Sequence, residues 1–473
     1  MEKIKQKNIL NSIKVSLEGS SIHGIPNILR NDNNSIKFMW MICFLISTGV
    51  CGYSLSLSII DYFEYNVITK ISIKERDKMI FPIVSICNLN LFATPYSNNV
   101  SNFMFKTTFP FYNQMLAAKA WSNMVIKNYG FDRTNLGYSI KEFMINCQFN
   151  QIKCDLEQDF EYFYDINYGN CYRFNSGRTM NGTEIQQKYS YQSGISYGLD
   201  LELFIGSAED NDFPLTKENG FVIFINNQTV DSTTNEGIKV APGTSTNIIL
   251  TKYSISKQPK PYSECLNDLD SIGSYDSEFY RRYFSPNRTY RYTECAFVCL
   301  QKYIGEKCGC QSILQPFYYF KEMRLCILNE TKIAEDRQCA LDNIFKYYQT
   351  PELLEQCDCP YECDINEYSY SSSYSQFPTI KYSKYLMNNS VIKRRLSDSP
   401  SYGEIAKRVS RVLIFYDKLR ETILKEDIKI QPFDLVSNLG GTLGLFLGLS
   451  FLSIVEIFEI LLKIIFILLE NKI

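Results

Sequence analysis

The residues whose types and spacing carry the most chemistry lie between Phe433 and Leu469. No charge falls between Leu435 and Val455, a run long enough to cross a bilayer. Gly440, Gly441, Gly444 and Gly448 recur along it, with Ser437, Asn438, Thr442, Ser450 and Ser453 among the apolar residues. Glu456 and Glu459 follow, with apolar residues on both sides. Carboxylates at membrane depth are costly and usually face a cavity or a partner. A straight helix from Phe433 to Leu469 would be ~55 Å long against a hydrocarbon core of ~30 Å. The segment must tilt, protrude or break, and Gly448 is the expected break because glycine leaves helical geometry at least cost. A break there frees backbone carbonyls that only a watery path can satisfy. By pattern alone, an anchor with a small-residue face for helix pairing fits equally well.

The elements that must position this stretch are set by a second apolar run. Phe38 to Ile60 carries no charge and follows a polar segment of 37 residues that ends in Lys37, unlike a secretory leader. Lys3, Lys5, Lys7, Lys14, Arg30 and Lys37 precede it, and Asp61 and Glu64 follow, which places the N-terminus in the cytosol. The expected organisation is a cytosolic segment 1–36, a first spanning helix 37–60, an external domain 61–432, a second span 433–469 and a cytosolic tail 470–473. With 49 Lys plus Arg against 51 Asp plus Glu, a nucleic-acid partner is not expected.

Cysteines and sequons fit that topology. Cys43 and Cys51 lie in the first run; the other fourteen, from Cys87 to Cys363, all fall in the external segment. An even number there reads as seven disulfides in an oxidising compartment. Zinc at Cys308 and Cys310 or at Cys357 and Cys359 is the competing reading, but the spacing is not the usual paired one and His23, the only histidine, is on the other side of the membrane. Asn99, Asn181, Asn227, Asn287, Asn329 and Asn388 begin external sequons, whereas the match at Asn33 is cytosolic.

Along the external segment, Phe81 to Asn90 alternates like a half-buried strand, as do Tyr197 to Phe204 and Phe221 to Ile225. Gly237 to Gly243 reads as a strand entering a turn, and Thr246 to Tyr253 as another strand. Strands bounded by Gly, Pro and Asn predict antiparallel sheets. Residues 91–165, with Phe103, Phe105, Phe109, Phe111 and Tyr112, read as mostly helical. Cys295 and Cys299 share one helical face, and Cys339 to Glu355 has helical spacing, which predicts a stapled helix pair. Cys357 and Cys359 are expected on an extended strand, and Val409 to Leu424 as a last strand-like stretch.

Gly440 to Ser450 followed by Ile454 to Glu459 resembles the second membrane segment of the degenerin/epithelial sodium channel superfamily, with Gly448, Leu449 and Ser450 on its Gly-x-Ser selectivity tripeptide. His23 and Gly24, Phe81 to Asn90, Tyr168 to Asn175 and the cysteine series match the same family in order. The nearest branch is the acid-sensing and neuropeptide-gated one, which takes in cnidarian-type peptide-gated sodium channel subunits. The resemblance implies an α+β membrane protein, trimeric, with two transmembrane helices flanking a disulfide-rich external domain. Palm and β-ball sheets would carry finger, thumb and knuckle helices. It implies the pairs Cys87–Cys171, Cys147–Cys154, Cys265–Cys363, Cys295–Cys359, Cys299–Cys357, Cys308–Cys339 and Cys310–Cys326. It also implies pore residues Ser437, Asn438, Gly441, Gly444, Glu456 and Glu459, and gating roles for His23, Gly24, Tyr65 and Tyr262.

Two departures bear on function. Asn66 and Val67 stand where acid-sensing members carry histidines, and Asn438 replaces an Asp, so a Ca²⁺-binding ring at the outer mouth is not carried over. The implied activity is an amiloride-sensitive, sodium-selective channel of the plasma membrane, opened by an extracellular neuropeptide, with both termini cytosolic. Its partners would be related subunits in a homo- or heterotrimer, the peptide and membrane lipid. No cofactor or metal is expected; Na⁺ permeates, with Ca²⁺ a second candidate. A proton-gated channel is the alternative within the family. ATP-gated trimers need a basic phosphate cluster that is lacking, and an adhesion or receptor ectodomain would not need Glu456 or the Gly-x-Ser order. No nucleophile–base–acid set or phosphate loop points to an enzyme.

Overall fold

The structure is a computed structural model that describes residues 14–15, 17–91, 93–97, 132–165, 167–206, 218–227, 237–284, 289–312, 323–324, 326, 333–396 and 400–470. Asn99, Asn287, Asn329, the aromatic residues 103–112 and the tail 471–473 lie outside the described residues. The chain divides into two compact units, Met1–Thr69 with Glu426–Ile473, and Lys70–Lys425.

The first unit is helical. A short helix, α1 (Ile25–Arg30), has Pro26 in its first turn, where no amide donor is needed. The long helix α2 (Asn34–Phe63) begins where the Asn33 side chain accepts the Ser35 N–H at 3.0 Å. It extends the expected span 37–60 at both ends, because Asn33 supplies a cap and nothing breaks the helix before Glu64. Only Cys51 is buried along it, so its apolar surface faces outward as lipid requires. Two hydroxyls in this helix turn back onto their own backbone: Thr48 donates to the Phe44 carbonyl at 2.7 Å and Ser56 to the Gly52 carbonyl at 2.8 Å. That satisfies them without water.

The second unit is built on two sheets. Its strands and helices run β1 (Val67–Glu75), β2 (Met79–Ile80), β3 (Ile83–Asn88), α3 (Ile140–Phe143), β4 (Met144–Phe149), β5 (Ile152–Lys153), β6 (Phe160–Asp165), β7 (Gly169–Phe174), β8 (Tyr189–Ser190), β9 (Leu199–Phe204), β10 (Phe221–Asn226), β11 (Ile238–Val240), β12 (Thr244–Ser256) and β13 (Cys265–Leu266). Then come α4 (Glu278–Tyr283), α5 (Tyr292–Cys308), α6 (Ile333–Gln349), α7 (Pro351–Glu355), β14 (Tyr361–Glu362), β15 (Asp364–Gln376), α8 (Ile380–Leu386), α9 (Ser390–Arg395), α10 (Tyr402–Ala406) and β16 (Val409–Ile428). The larger sheet has the order β15-β12-β16-β9-β4-β5, with β1 also on β16; the smaller is β11-β10-β3-β7-β6. Phe81, Phe149, Phe160 and Phe174 pack in the main core, with ring centroids of Phe81 and Phe149 4.9 Å apart.

Four sequence expectations are corrected here. The sheets are not purely antiparallel: β12 runs parallel to β16, because the long insertion between them returns the chain to the same end. Of the stretch 91–165, read as mixed and mostly helical, residues 98–131 lie outside the described residues; in the described part strand outweighs helix, since Met144–Phe149 and Phe160–Asp165 pair as β4 and β6 while α3 spans four residues. Five of the six residues of β10 are buried instead of alternating, because this sheet is covered on both faces. Cys357 and Cys359 flank a turn and not a strand, with Asp358 in the left-handed region at φ 47°.

Seven disulfides join Cys87–Cys171, Cys147–Cys154, Cys265–Cys363, Cys295–Cys359, Cys299–Cys357, Cys308–Cys339 and Cys310–Cys326, the same pairs that the resemblance implies. Cys87 and Cys171 lie directly opposite across β3 and β7. The last five are nested around α5 and α6, whose core includes Leu300, Ile304 and Tyr347. Tyr275 donates to Asp358 at 2.6 Å; that bond, with burial, pushes the phenol up to about 12.

Candidate functional site

The site forms in the first unit, where the second apolar segment breaks. Helix α11 (Pro432–Leu447) opens with Pro432 at its start and a reciprocal cap in which the Gln431 N–H donates to Asp434 Oδ2 at 3.0 Å. It stops at Gly448, which is left-handed at φ 69° and ψ 16°. The Gly448 N–H reaches the Gly444 carbonyl at 3.0 Å and the Leu449 N–H the Leu443 carbonyl at 3.2 Å, the pattern of a glycine-terminated helix. The chain then enters α12 (Phe451–Glu470). Ser450 and Ser453 start it reciprocally, the Ser450 hydroxyl accepting the Ser453 N–H at 3.3 Å and the Ser453 hydroxyl accepting the Ser450 N–H at 3.1 Å. The two helices meet at 71°.

Each carbonyl at the end of α11 has a different fate. Phe446 accepts from the Ser47 hydroxyl of α2 at 2.7 Å, and Leu447 accepts from the His23 N–H at 2.8 Å. Among the described residues no donor reaches the carbonyls of Gly448 and Leu449. Backbone groups of this kind, once out of water, must find a partner or an ion.

The N-terminal segment seats on this break. A Cβ on Gly448 would stand 2.0 Å from His23 Nδ1, so only glycine leaves room for the imidazole. Gly24 is itself at φ 92°, with Phe44 of α2 at 3.1 Å from where its Cβ would be. Ser21 donates its N–H and its hydroxyl to Glu456 Oε2, both at 3.0 Å, and its hydroxyl lies 2.6 Å from that of Ser453, which is fully buried. His23 and Gly24 form a turn in which His23 is exposed and Gly24 buried, and this turn lies against Gly448 while the neighbouring Ser21 reaches Glu456.

The remaining expected residues are placed as follows. Ser437, Gly441 and Gly444 continue up α11 from Gly448 at helical spacing, so they share one stripe. Ser437, Asn438 and Gly441 are exposed, and nothing lies within 4 Å of a Cβ at Gly441. Glu459 is bound to Lys463 one turn on, at 2.7 Å. Tyr65 is left-handed at φ 53° and meets the Phe63 ring edge-on at 6.2 Å; its neighbour Asn66 gives its carbonyl to the Lys429 N–H at 3.0 Å. Tyr262 belongs to the other unit, in a turn where its N–H donates to Pro259. Of the described sequons, Asn181 and Asn388 are exposed and Asn227 is half-buried.

Sequence reasoning missed Ser21, Ser47 and Lys463, whose partners are far away or whose type is unremarkable. It also missed a charge cluster in the second unit. Glu421 of β16 takes Arg76 at 2.8 Å, Lys252 at 2.9 Å and the Ser254 hydroxyl at 2.6 Å. Burial pushes its carboxyl up, but the bonds from Ser254, Lys252 and Arg76 outweigh it and hold the group down at about 2. Glu202 of β9 is the opposite case. It is 5% exposed and accepts from Tyr382 at 2.8 Å, and burial raises its pKa above the usual carboxylate value.

Comparison with known proteins follows the same lines. The family model described as "Amiloride-sensitive sodium channel" matches residues 16–460. Acid-sensing ion channel 1 of Gallus gallus is 25% identical, covering 95% of this chain and 83% of its own. The bile acid-sensitive ion channel of Homo sapiens is 26% identical, covering 93% and 84%. The FMRFamide-activated amiloride-sensitive sodium channel of Cornu aspersum is 26% identical, covering 94% and 82%. A cryo-EM structure of a proton-activated chloride channel aligns with a TM-score of 0.32 at 9% identity, over 90% of this chain and 97% of its own, too slight a likeness to bear on the fold. With a family match that takes in the first apolar helix, the disulfide-linked unit and the broken segment at Gly448, the chain belongs to the amiloride-sensitive sodium channel family, a family of ion channels and not of enzymes.

Proposed function

We propose that this chain is one subunit of a trimeric, ligand-gated, sodium-selective channel of the plasma membrane, opened by an extracellular peptide. In this reading α11 and α12 together make the second span, both termini are cytosolic, and Gly448, Leu449 and Ser450 from three copies form the constriction. The observation that carries it is the break itself: a left-handed Gly448 leaves two carbonyls without donors beside an exposed stripe of Ser437, Gly441 and Gly444. Carbonyls in that position can replace an ion's hydration shell. Glu456, fixed by Ser21, would place a carboxylate ring just inside, where it draws cations. Glu459 contributes less field than its charge implies, because Lys463 neutralises it.

The bends at Tyr65 and around Tyr262 are the candidate points at which movement of the external unit reaches the helices. A peptide is preferred over protons because Asn66 and Val67 replace the family's histidines there and Glu421 is already held ionised by two cations. Among the relatives, one is named for activation by FMRFamide. An acid-opened channel is the second reading, favoured by Glu202, the buried carboxyl whose pKa is raised. Large currents evoked between about pH 7 and 6, where an unperturbed histidine titrates, would favour it over the peptide.

The deciding experiment is reversal-potential measurement on channels carrying Ser450→Thr, Ser450→Val and Ser450→Leu. Larger side chains at Ser450 should change the preference for Na⁺ over K⁺. Unchanged selectivity in channels shown to contain the mutant subunit would mean that the filter lies elsewhere.

A further inference from the structure

Three short helices of the second unit, α8, α9 and α10, close over one small core of Phe204, Phe377, Leu386, Val391, Ile392 and Ile405. Each is started by a side-chain cap. Thr379 accepts the Tyr382 N–H at 3.2 Å, Asn389 the Val391 N–H at 2.8 Å and Ser401 the Glu404 N–H at 3.3 Å. With the apolar residues turned inward, the outer side of this corner carries charge of one sign. Residues 380–408 hold seven Lys and Arg against two Asp and Glu, in a chain whose net charge is −2.

Most of that charge is not neutralised. Arg395 binds Glu142 of α3, and Glu404 is taken up by the Ser401 N–H at 2.6 Å. Lys381, Lys384, Lys393 and Lys407 are exposed and meet no carboxylate among the described residues. Arg394 is exposed too. It donates from Nε to the Ser390 carbonyl at 3.1 Å and from Nη2 to the Lys141 carbonyl at 3.4 Å, which orients the guanidinium and leaves its charge unmatched. Helix dipoles account for part of the pattern, since Lys384, Lys393 and Arg394 stand in last turns. They do not account for Lys381, in the first turn of α8, where a cation opposes the dipole.

An aromatic surface lies among these cations. Lys381, Lys384 and Tyr385 follow i, i+3, i+4 spacing and share one face of α8. Tyr385 is 70% exposed, and its ring stacks on that of Tyr382 at 5.6 Å. Tyr382 is held in turn by its hydroxyl bond to Glu202 at 2.8 Å. Asn388, exposed between α8 and α9, begins a sequon, which fits a corner open to the medium.

We propose that this corner is a docking surface for a linear sulfated polysaccharide, with Lys381, Lys384, Lys393, Arg394 and Lys407 on its sulfates and one sugar ring lying on Tyr385. A repeating polyanion matches cations spread over three helices, which a single small anion would meet one at a time. A guanidinium of fixed pose suits a tetrahedral oxyanion. The exposed ring offers a flat apolar surface to the C–H face of a sugar, which a plain acidic peptide lacks. The biological reach of the site rests on the external second unit of the proposed function; binding itself does not.

The test uses the purified full-length protein in detergent, with heparin as the probe. Heparin should bind saturably, weaken as salt screens the contacts, and lose its affinity when chemically desulfated. Acetylation of lysines with heparin present, read by mass spectrometry, should show protection of Lys381, Lys384, Lys393 and Lys407 and none of Lys74 on β1. Lys384→Gln combined with Lys393→Gln should weaken binding about 5-fold, the equivalent of two exposed ion pairs. Lys74→Gln combined with Lys153→Gln, the same loss of charge elsewhere in this unit, should not. Tyr385→Ala should weaken heparin and leave polyphosphate, a polyanion without sugar rings, unaffected. Equal weakening by the two double variants, or protection spread evenly over the surface lysines, would overturn the site and leave only general attraction of a polyanion. Absence of saturable binding, as when a second copy or another protein covers this face, would overturn it as well. Protection confined to these lysines, in a protein whose mass glycosidase does not shift, would keep the surface and remove the external location.

Discussion

Replacing Gly448 with alanine tests the break and its contact with the N-terminal segment together. Two separable penalties follow from the geometry. The left-handed backbone at φ 69° would strain an alanine by roughly 1–2 kcal/mol. The new Cβ would also stand 2.0 Å from His23 Nδ1, so the exposed ring must leave this seat, at roughly 1 kcal/mol, the low end for an overpacked contact. Together these make about 2–3 kcal/mol, a shift of roughly 30- to 150-fold in whatever equilibrium depends on the seated segment. The assay is a double-mutant cycle, with Gly448→Ala, His23→Ala and both, read by open probability and by reversal potential in voltage clamp. His23→Ala removes the ring but not the strain. The double mutant should therefore recover the contact part and keep the backbone part, giving a coupling of about 1 kcal/mol. Effects that add within ~0.3 kcal/mol would refute the contact between His23 and Gly448.

Three further outcomes are expected. A bulky residue at Ser437, exposed on the stripe that ends at Gly448, should favour the open state; unaltered basal current in surface-expressed Ser437→Phe channels would count against that stripe lining the pore. The Glu421 cluster should make the second unit acid-sensitive in a defined way. Its carboxyl titrates at about 2 instead of 4.5, so its contribution is full above pH ~4.5 and is lost as pH falls toward ~2, roughly 3 kcal/mol in all. Arg76→Met should move that loss to higher pH in thermal melts of purified protein, and curves that overlay the wild type would refute the ledger of bonds at Glu421. Glycosidase treatment should lower the apparent mass through Asn181 or Asn388; no shift in surface-expressed protein would argue against an external second unit.

How much of this was legible in the sequence depends on the range of the interaction. The break at Gly448 was readable because a single residue type, in a segment too long for the bilayer, determines it locally. Helix α5 and its cysteine face were readable from i, i+4 spacing, but which cysteine meets which came only from the family resemblance. The parallel pairing of β12 with β16 was not readable, because it depends on where a long insertion returns the chain. Nor was the seat of Ser21 on Glu456 and Ser453, which joins residues 435 and 432 positions apart. Serine carries no signal of such a partner. The same holds for Arg76, Lys252 and Glu421, each an ordinary surface charge in sequence until β12, β16 and the turn after β1 bring them together.

The nested disulfides have a consequence for the integrity of the chain. Every peptide bond between Cys265 and Cys363 lies inside the loop closed by that bridge, and a bond between Cys310 and Cys326 lies inside five loops at once. An extracellular protease that cuts there opens the backbone without dividing the molecule. The nicked chain would run as one species under non-reducing conditions and as two after reduction, and both of its pieces would stay joined through the bridges.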